Sequence, residues 1–275
     1  MNYIIYGNKG VEKRRPFQYI VGCEHWRDLV LSVEEGVLIP RPETELIVDL
    51  VDDVKENEEL KEGLWAALGT GSGALAIGIA RILGSDGRVI ATDLSSAATA
   101  VASYNVRRYD LEGDLGTGSG ALAIGIARIL GSDGRVIATD LSPVATAVAS
   151  YNVQRYDLEE KVHVKQGSWF EPLRDEGEFV GLVSNPPYIP SKDIGGLQAE
   201  VGRHEPRLAL DGGESGMNDL IHLCDGAVSM LKPGGFFAFE TNGDEQSKFL
   251  VHFSKVKMVS DFAGIKRFIT GFRGR

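Results

Sequence analysis

Apolar positions along this chain alternate between short continuous runs and stretches with helical spacing. Residues 64–67 and 179–184 are apolar runs short enough to be buried strands, and residues 74–83 form an apolar helix between them. Residues 256–260 and 265–270 alternate like the two strands of a final hairpin. The pattern predicts an α/β fold with a mostly parallel sheet and a C-terminal antiparallel hairpin.

Five further segments complete the predicted element order. Residues 17–22 and 37–39 are predicted to be the two strands of a hairpin, and apolar residues at helical spacing predict an amphipathic helix from residue 46 to about residue 60. Residues 190–216, rich in glycine, proline and charge, are predicted to form a long functional loop. A further helix is expected near residues 245–253.

The middle of the chain contains an internal repeat. Residues 68–112 match residues 115–159 at an offset of 47, and only three of the 45 positions differ: Ser96/Pro143, Ala97/Val144 and Arg107/Gln154. Repeats of solenoid proteins diverge and recur several times, so two nearly identical copies indicate a tandem duplication of one module. Each copy has the pattern of a β-α-β-α unit.

Each copy begins with a glycine loop between a predicted strand and helix. The loop residues are Gly69, Thr70, Gly71 and Gly73 in the first copy and Gly116, Thr117, Gly118 and Gly120 in the second. The spacing Gly-x-Gly-x-Gly is not the dinucleotide fingerprint, which needs Gly-x-Gly-x-x-Gly. Asp93 or Asp140, at the end of the next strand, is placed to accept ribose hydroxyls. A nucleoside ligand without a pyrophosphate is therefore predicted, and S-adenosylmethionine fits; a merely structural loop is the alternative.

The predicted strand 179–184 ends in Asn185-Pro186-Pro187-Tyr188. Neither proline can donate to a sheet, so a rigid loop begins at the carboxyl end of a strand, where open α/β sheets bind ligands. The Asn185 side chain and the Pro186 carbonyl offer two fixed acceptors for a planar NH2 group, and Tyr188 offers a flat face for stacking. Beside a methyl donor, this arrangement predicts methyl transfer to nitrogen. A simple turn after a strand is the alternative.

Composition excludes several classes of protein. The 275 residues are 43% hydrophobic with a net charge of −10, which makes a wide phosphate-binding surface improbable. Two cysteines, Cys23 and Cys224, are too few for a disulfide framework or a cysteine-rich metal site, so we expect a reducing compartment and no metal. The sequence has no apolar run of membrane-spanning length and no signal peptide pattern. We expect an intracellular monomer that contacts neither membrane nor specific nucleic acid.

These motifs together resemble the HemK/PrmC family, the release factor glutamine N(5)-methyltransferases. The segments that carry the resemblance are residues 17–22, residues 36–45 (Gly-Val-Leu-Ile-Pro-Arg-Pro-Glu-Thr-Glu), residues 114–120, residues 185–189, and residues 205–210 with Gly212 and Gly213. The resemblance covers about residues 16–275. It implies a Rossmann-like class I S-adenosylmethionine-dependent methyltransferase domain over 46–275, preceded by a hairpin linker over 1–45.

The resemblance also implies roles for individual residues. Asp93 or Asp140 would hold the ribose, Trp169 with Phe170 beside it would lie by the adenine, and residues 185–188 would hold the substrate glutamine. That glutamine is the one in the Gly-Gly-Gln loop of class I release factors, in the cytoplasm or, in a eukaryote, a mitochondrion or chloroplast. The sequence departs from the family pattern in having Ser168 where an acid is usual, and only about 15 residues before the hairpin in place of an N-terminal helical domain.

The two copies compete for one position in the sheet. A central parallel strand is covered on both faces, and residues 64–67 are apolar throughout, whereas residues 109–114 would bury Asp110 and Glu112. Burying Leu64 and Trp65 stabilises by roughly 3–6 kcal/mol, and an unpaired buried acid costs several more. Asp114, which replaces Ala67 of the first copy, would add only about 1–3 kcal/mol of donor binding. We therefore predict that the first copy forms the central sheet and binds the donor.

Two other functions are compatible with these motifs. Asn-Pro-Pro-Tyr also occurs in adenine N(6)-methyltransferases, but these need a basic target-recognition region, which this acidic sequence lacks. A non-catalytic fold that binds S-adenosylmethionine or a partner is the other alternative, because the duplication could disable the site.

Overall fold

The computed structural model describes residues 14–84, 88–93, 95–109, 114–115, 136–140, 150, 154, 162–167, 169–174, 177–243 and 253–274. The helices are α1 (Phe17–Val21), α2 (Glu45–Asp52), α3 (Glu58–Lys61), α4 (Ala74–Leu83), α5 (Ser96–Arg108), α6 (Ala199–His204) and α7 (Asn218–Met230). The strands are β1 (Cys23–Trp26), β2 (Leu29–Ser32), β3 (Leu64–Leu68), β4 (Arg88–Thr92), β5 (Asp114–Leu115), β6 (Val136–Asp140), β7 (Val162–Gln166), β8 (Phe179–Ser184), β9 (Leu231–Glu240), β10 (Phe253–Ser260) and β11 (Lys266–Arg273). Short 3-10 turns lie at Glu171–Leu173, Ile194–Gly196 and Arg207–Ala209.

A seven-stranded sheet with the order β10-β11-β9-β8-β3-β4-β5 forms the centre of the protein. Strands β9, β8, β3, β4 and β5 run parallel, and the hairpin β10–β11 adds two antiparallel strands at one edge. This confirms the predicted α/β architecture with a C-terminal hairpin. No helix in the described part of the chain is long and apolar enough to cross a membrane.

Strand β3, which leads into the first copy of the repeat, lies next to β8, and β4 of the first copy lies next to β3. Strand β3 is buried from Trp65 to Leu68, and every residue of β8 is buried, so both strands lie under helices on each face of the sheet. The Trp65 indole donates to the Leu60 carbonyl at 2.7 Å, which satisfies its one polar atom. The prediction that the apolar strand of the first copy occupies the centre is confirmed.

The described strands at the second copy lie in two different sheets. Of its residues, Asp114 and Leu115 form β5 at the edge of the main sheet, and β6 pairs with β7 in a separate two-stranded sheet. Its glycine loop and both of its predicted helices lie largely outside the described residues. The structure therefore places one complete module, the first, in the main sheet.

The segment before the sheet was predicted wrongly in detail. Residues 17–21 form helix α1 and residues 37–39 form no strand, while the hairpin lies at Cys23–Ser32. Gly22, with φ of +76°, ends the helix in a left-handed conformation. The Tyr19 hydroxyl donates to the Val37 carbonyl at 2.6 Å, so the two segments do contact each other, but not through a strand ladder.

The predicted helix from residue 46 and the predicted loop 190–216 need correction, and the helix predicted near the C-terminus lies mostly outside the described residues. Helix α2 ends at Asp52 instead of near residue 60, and a separate short helix, α3, begins after Asn57, whose side chain caps it by accepting from the Glu59 amide at 3.0 Å. The loop 190–216 contains α6 and two 3-10 turns. The helix predicted near 245–253 falls mostly outside the described residues.

Helix α5 of the first copy connects the hairpin β1–β2 to the glycine loop. The Asn105 side chain accepts from the Ser32 amide at 2.7 Å and donates to the Ser32 and Ser72 carbonyls at 3.0 and 2.9 Å. The Tyr109 hydroxyl donates to the Val30 carbonyl at 3.1 Å. These hydrogen bonds fix the hairpin against the same module that carries Gly69, Gly71 and Gly73.

Candidate active site

Three strand ends meet at one edge of the main sheet. Strand register pairs Leu68 with Thr92 on one side and with Ser184 on the other. Because parallel strands end at the same edge, Gly69, Asp93 and Asn185 follow at the same level of the sheet. This register assembles the predicted glycine loop, acid and asparagine in one place.

A cleft with about 830 Å3 of empty space, its open side included, lies over these strand ends. Six of the predicted site residues line it: Gly69, Gly71, Asp93, Trp169, Asn185 and Pro187. Residues that sequence analysis did not assign to the site complete the wall, among them Gly36, Leu38, Ser95 and Leu208.

The glycine loop needs its glycines for backbone conformation and for close packing. Gly69, Gly71 and Gly73 have φ of +64°, +56° and +85°, which side chains other than glycine rarely adopt. A Cβ on Gly73 would also lie 3.1 Å from Ala102 of helix α5. The loop can therefore present its backbone to a ligand.

Asp93 fixes the loop through its carboxylate. One oxygen accepts from the Gly71 amide and the other from the Ser95 amide, both at 2.8 Å. A carboxylate has about four lone-pair sites, so it can accept hydroxyl groups in addition to these two amides. Asp93 thus fits the expected role of holding a ribose.

Thr70 takes a different position from the one predicted. Its amide donates to the Thr92 carbonyl at 2.9 Å, and its side chain is buried with no hydrogen-bond partner for Oγ1 among the described residues. Thr70 is not part of the cleft wall. We assign it to anchoring the loop on β4.

The two aromatic residues after β7 both lie near His222, but only Trp169 also lines the cleft. A Cβ on Gly69 would lie 3.7 Å from the Trp169 ring, so this ring stands beside the glycine loop in the cleft. Trp169 has φ of +49°, a conformation that is uncommon outside glycine. Phe170 instead packs in the core against His222, with ring centroids 5.9 Å apart. The prediction that Phe170 contacts the cofactor is not supported by this position.

A second cavity, with about 580 Å3 of empty space, shares Leu38, Asn185 and Ala209 with the cleft. Its wall also includes Arg41, Pro186, Tyr188 and Leu197. Asn185 therefore lines two cavities, one that contains the glycine loop and one that contains Pro186 and Tyr188. No described residue hydrogen-bonds to the Pro186 carbonyl.

Asn185 is held by residues that sequence analysis did not identify. Its amide nitrogen donates to the Thr44 hydroxyl at 3.1 Å, and the Thr44 hydroxyl donates to Glu240 at 2.6 Å. The Tyr188 hydroxyl donates to the other oxygen of Glu240 at 2.7 Å. Burial raises the pKa of Glu240, which is 1% exposed, and both hydroxyl hydrogen bonds oppose that shift. An acid directly after the apolar run 236–239 was the available signal.

Arg41, which lines the second cavity, forms an ion pair with a buried carboxylate. Arg41 contacts Glu205 at 2.7 Å, and their side chains are 29% and 1% exposed. The Ile39 amide also donates to Glu205 at 3.4 Å. Burial raises the pKa of Glu205, and the Arg41 guanidinium acts against that rise.

Arg41→Ala is expected to destabilise the protein by about 3 kcal/mol, since it leaves a buried carboxylate without its partner. Without Arg41, the folded-state pKa of Glu205 lies further above its unfolded value. The loss should therefore be largest above the folded pKa and shrink as pH falls toward the unfolded value. Denaturant unfolding between pH 5 and 8 measures this. The double variant Arg41→Ala/Glu205→Gln should recover stability; an equal loss in both variants at all pH values would contradict the explanation.

Two of the predicted site residues of the second copy lie in described strands. Asp114 lies in β5 opposite Ile90, and Asp140 ends β6 opposite Gln166. Gly116, Thr117, Gly118 and Gly120 lie outside the described residues. Within the described part of the chain, no group of three or more His, Cys, Asp or Glu side chains could hold a metal.

Comparison with known proteins supports both the fold and a family. The family described as "Ribosomal protein L11 methyltransferase (PrmA)" matches residues 110–185. A methyltransferase structure from Pyrococcus furiosus aligns with 90% of this chain and 91% of its own at a TM-score of 0.53 and 16% identity, which shows the fold.

Two cyanobacterial relatives are much more similar in sequence. The release factor glutamine methyltransferase of Gloeobacter violaceus is 36% identical over 268 residues, 95% of this chain and 76% of that protein. The protein of the same name from Synechocystis is 35% identical over 271 residues, 94% of this chain and 74% of that protein. At this identity and coverage, the chain belongs to the release factor glutamine methyltransferase family.

Proposed function

We propose that this protein transfers the methyl group of S-adenosylmethionine to the side-chain amide nitrogen of the glutamine in the Gly-Gly-Gln loop of a class I peptide chain release factor. The observation that carries the proposal is that Asn185 lines both the cleft with the glycine loop and the cavity with Pro186 and Tyr188. Family membership supplies the substrate class. Residues 46–275 would act as the methyltransferase domain, with residues 1–45 as a linker, in a monomer.

The cleft on the glycine side fits the methyl donor. Gly69 and Gly71 allow close approach, the Asp93 carboxylate suits ribose hydroxyls because it accepts hydrogen bonds, and the Trp169 ring suits a flat base. S-adenosylmethionine supplies an electrophilic methyl group on a sulfonium. These residues bind and orient the donor; no described residue is needed as a nucleophile.

The second cavity suits the side-chain amide of the substrate glutamine. An amide nitrogen is a weak nucleophile, because its lone pair is delocalised into the carbonyl. The Asn185 oxygen and the Pro186 carbonyl can each accept one N–H of that amide and so direct the nitrogen toward the donor side. The same two oxygens stabilise the positive charge that develops on nitrogen during transfer. As the N–CH3 bond forms, the S–CH3 bond of the sulfonium breaks and leaves a neutral thioether, and the acidified N–H proton then passes to water.

Incubation with methyl-labelled donor and release factor, followed by mass spectrometry of the labelled peptides, tests the proposal. We expect one methyl group on the glutamine of Gly-Gly-Gln and none on a release factor in which that glutamine is alanine. Label on DNA or RNA with none on the release factor would instead indicate an amino-methyltransferase of nucleic acid. Donor binding without any transfer would indicate a non-catalytic protein.

A further inference from the structure

Two hydrogen bonds connect the Asn185 amide through Thr44 to the buried carboxylate of Glu240, which accepts a third from Tyr188. Asn185 follows β8, Thr44 precedes helix α2, and Glu240 ends β9. The Thr44 hydroxyl accepts from Asn185 at 3.1 Å and donates to Glu240 at 2.6 Å, while Tyr188 donates to Glu240 at 2.7 Å. Thr44 makes no side-chain capping bond to helix α2, so its hydroxyl is used for the hydrogen bonds to Asn185 and Glu240.

The direction of these bonds follows from the chemistry of the groups. An ionised carboxylate only accepts, and a hydroxyl has one proton to donate. Because the proton of Thr44 goes to Glu240, Thr44 can only accept from Asn185. The Asn185 NH2 must therefore point to Thr44, and its oxygen is left for the cavities.

We propose that Glu240, as a carboxylate, and Thr44 are positioning residues that set the orientation of the Asn185 amide. This deepens the proposed function and rests on it, since the oriented oxygen is the one that accepts from the substrate amide. Shape alone does not fix the orientation, because the oxygen and nitrogen of an asparagine amide are nearly equal in size.

The opposite orientation becomes available when Glu240 is protonated. The Glu240 hydroxyl can then donate to Thr44, and the Thr44 hydroxyl can turn its proton to the Asn185 oxygen. In that state Asn185 presents N–H groups toward a substrate that itself needs acceptors. Protonation of Glu240 should therefore switch the site off without unfolding it.

Several charged groups surround Glu240 and bear on this switch. Arg267 on β11 interacts with Tyr188 and favours the ionised form, while Glu43, next to Thr44, disfavours it. Arg267 is in turn paired with Asp261 at 2.9 Å. Positive charge from Arg267 and two hydroxyl donors thus stabilise the carboxylate in a buried position.

Thr44→Val removes the hydroxyl while nearly preserving shape, and Thr44→Ser restores the hydroxyl. We expect Thr44→Val to lower kcat for release factor methylation about tenfold or more, with the donor Kd unchanged within about twofold. Thr44→Ser should recover most of kcat. Thr241→Val is the matched control, because Thr241 is also buried but its hydroxyl bonds to the Arg267 carbonyl at 3.2 Å. A kcat unchanged in Thr44→Val, or lowered equally in Thr241→Val, would overturn the proposal.

Glu240→Gln provides a second test through pH. Wild-type kcat should fall as pH drops through the pKa of Glu240, whereas Glu240→Gln should be slow at every pH and lose that limb of the profile. A glutamine can donate to Thr44 and so permits the reversed orientation. An unaltered profile in Glu240→Gln would contradict the assignment.

A measurement without substrate separates this proposal from the proposed function. The side-chain NH2 signal of Asn185 in 15N spectra is identified by its loss in Asn185→Ala. We expect it to be protected from solvent exchange in wild type, to shift as Glu240 titrates, and to lose both properties in Thr44→Val. If the release factor is not methylated but the Asn185 signal behaves as expected, the proposed substrate is incorrect, whereas the proposed roles of Thr44 and Glu240 are supported. If the signal is unchanged in Thr44→Val, the positioning proposal fails.

Discussion

Asn185→Ala is expected to lower the rate of methyl transfer by about 10²–10³-fold, the range seen when one preorganised group facing developing charge is removed. The asparagine oxygen is one of two acceptors proposed to align the substrate amide, and Asn185 lines both cavities. The glycine loop, Asp93 and Trp169 are untouched by the change. Donor affinity measured by calorimetry should therefore stay within about threefold of wild type.

Asn57→Ala is a suitable control for this variant. Asn57 caps helix α3 and its side chain accepts only from the Glu59 amide. Its loss should reduce the free energy of unfolding by about 1 kcal/mol and leave transfer unchanged. Normal turnover by Asn185→Ala, at wild-type stability, would show that the acceptor pair is not how the amide is activated.

The site at the end of β8 was predictable because two local signals agree there. An uninterrupted apolar run predicts a buried strand, and two prolines fix where it stops. The structure has this strand at Phe179–Ser184, with helix α4 at Ala74–Leu83 as predicted. The spacing of Gly69, Gly71 and Gly73 likewise predicted a glycine loop. The structure has all three in positive-φ conformations, which glycine favours.

The segment before the domain was not predictable in the same way. Phe17-Gln-Tyr-Ile-Val21 is rich in residues that favour strands, yet it forms helix α1. Tyr19 is buried and bonds to the Val37 carbonyl, so a contact 18 residues away in sequence decides the local structure. Propensity is a weak guide where tertiary contacts override it.

The hydrogen bonds that link Asn185 to Thr44 and Glu240 could not be predicted from the sequence, for a related reason. Thr44 and Glu240 are separated by 196 positions in sequence and meet only because helix α2 packs near the end of β9. Each residue alone has an ordinary explanation, one at a helix start and one at a strand end. Only the fold shows that they contact each other.

In the duplicated region, the continuity of the sequence favours the second copy, whereas the burial of apolar residues favours the first. The matching family segment, residues 110–185, runs through the second copy, which continues directly into β7 and β8 along the chain. The structure instead places β3, which leads into the first copy, beside β8, and β4 of that copy beside β3. Burial explains this choice, because β3 is apolar on both faces, whereas residues 109–114 carry Asp110 and Glu112.

We therefore expect Asp93→Ala to weaken donor binding about 10–100-fold, equivalent to roughly 1–3 kcal/mol, and Asp140→Ala to change it by less than about twofold. Asp93 lines the cleft and holds the Gly71 amide at 2.8 Å, so its removal affects both the ribose contact and the loop. Asp140 is the closest control that the chain offers, since both residues end an identical Arg-Val-Ile-Ala-Thr-Asp segment. Calorimetric titration with S-adenosylmethionine measures both variants.

The double variant Asp93→Ala/Asp140→Ala distinguishes one working module from two that exchange. If the first copy alone binds the donor, the double variant should bind as weakly as Asp93→Ala. If the copies can replace each other in the sheet, each single variant should retain most of the affinity and only the double variant should lose it. A loss confined to Asp140→Ala would mean that continuity with β7 and β8 outweighs the burial of β3, and that the second copy builds the donor site.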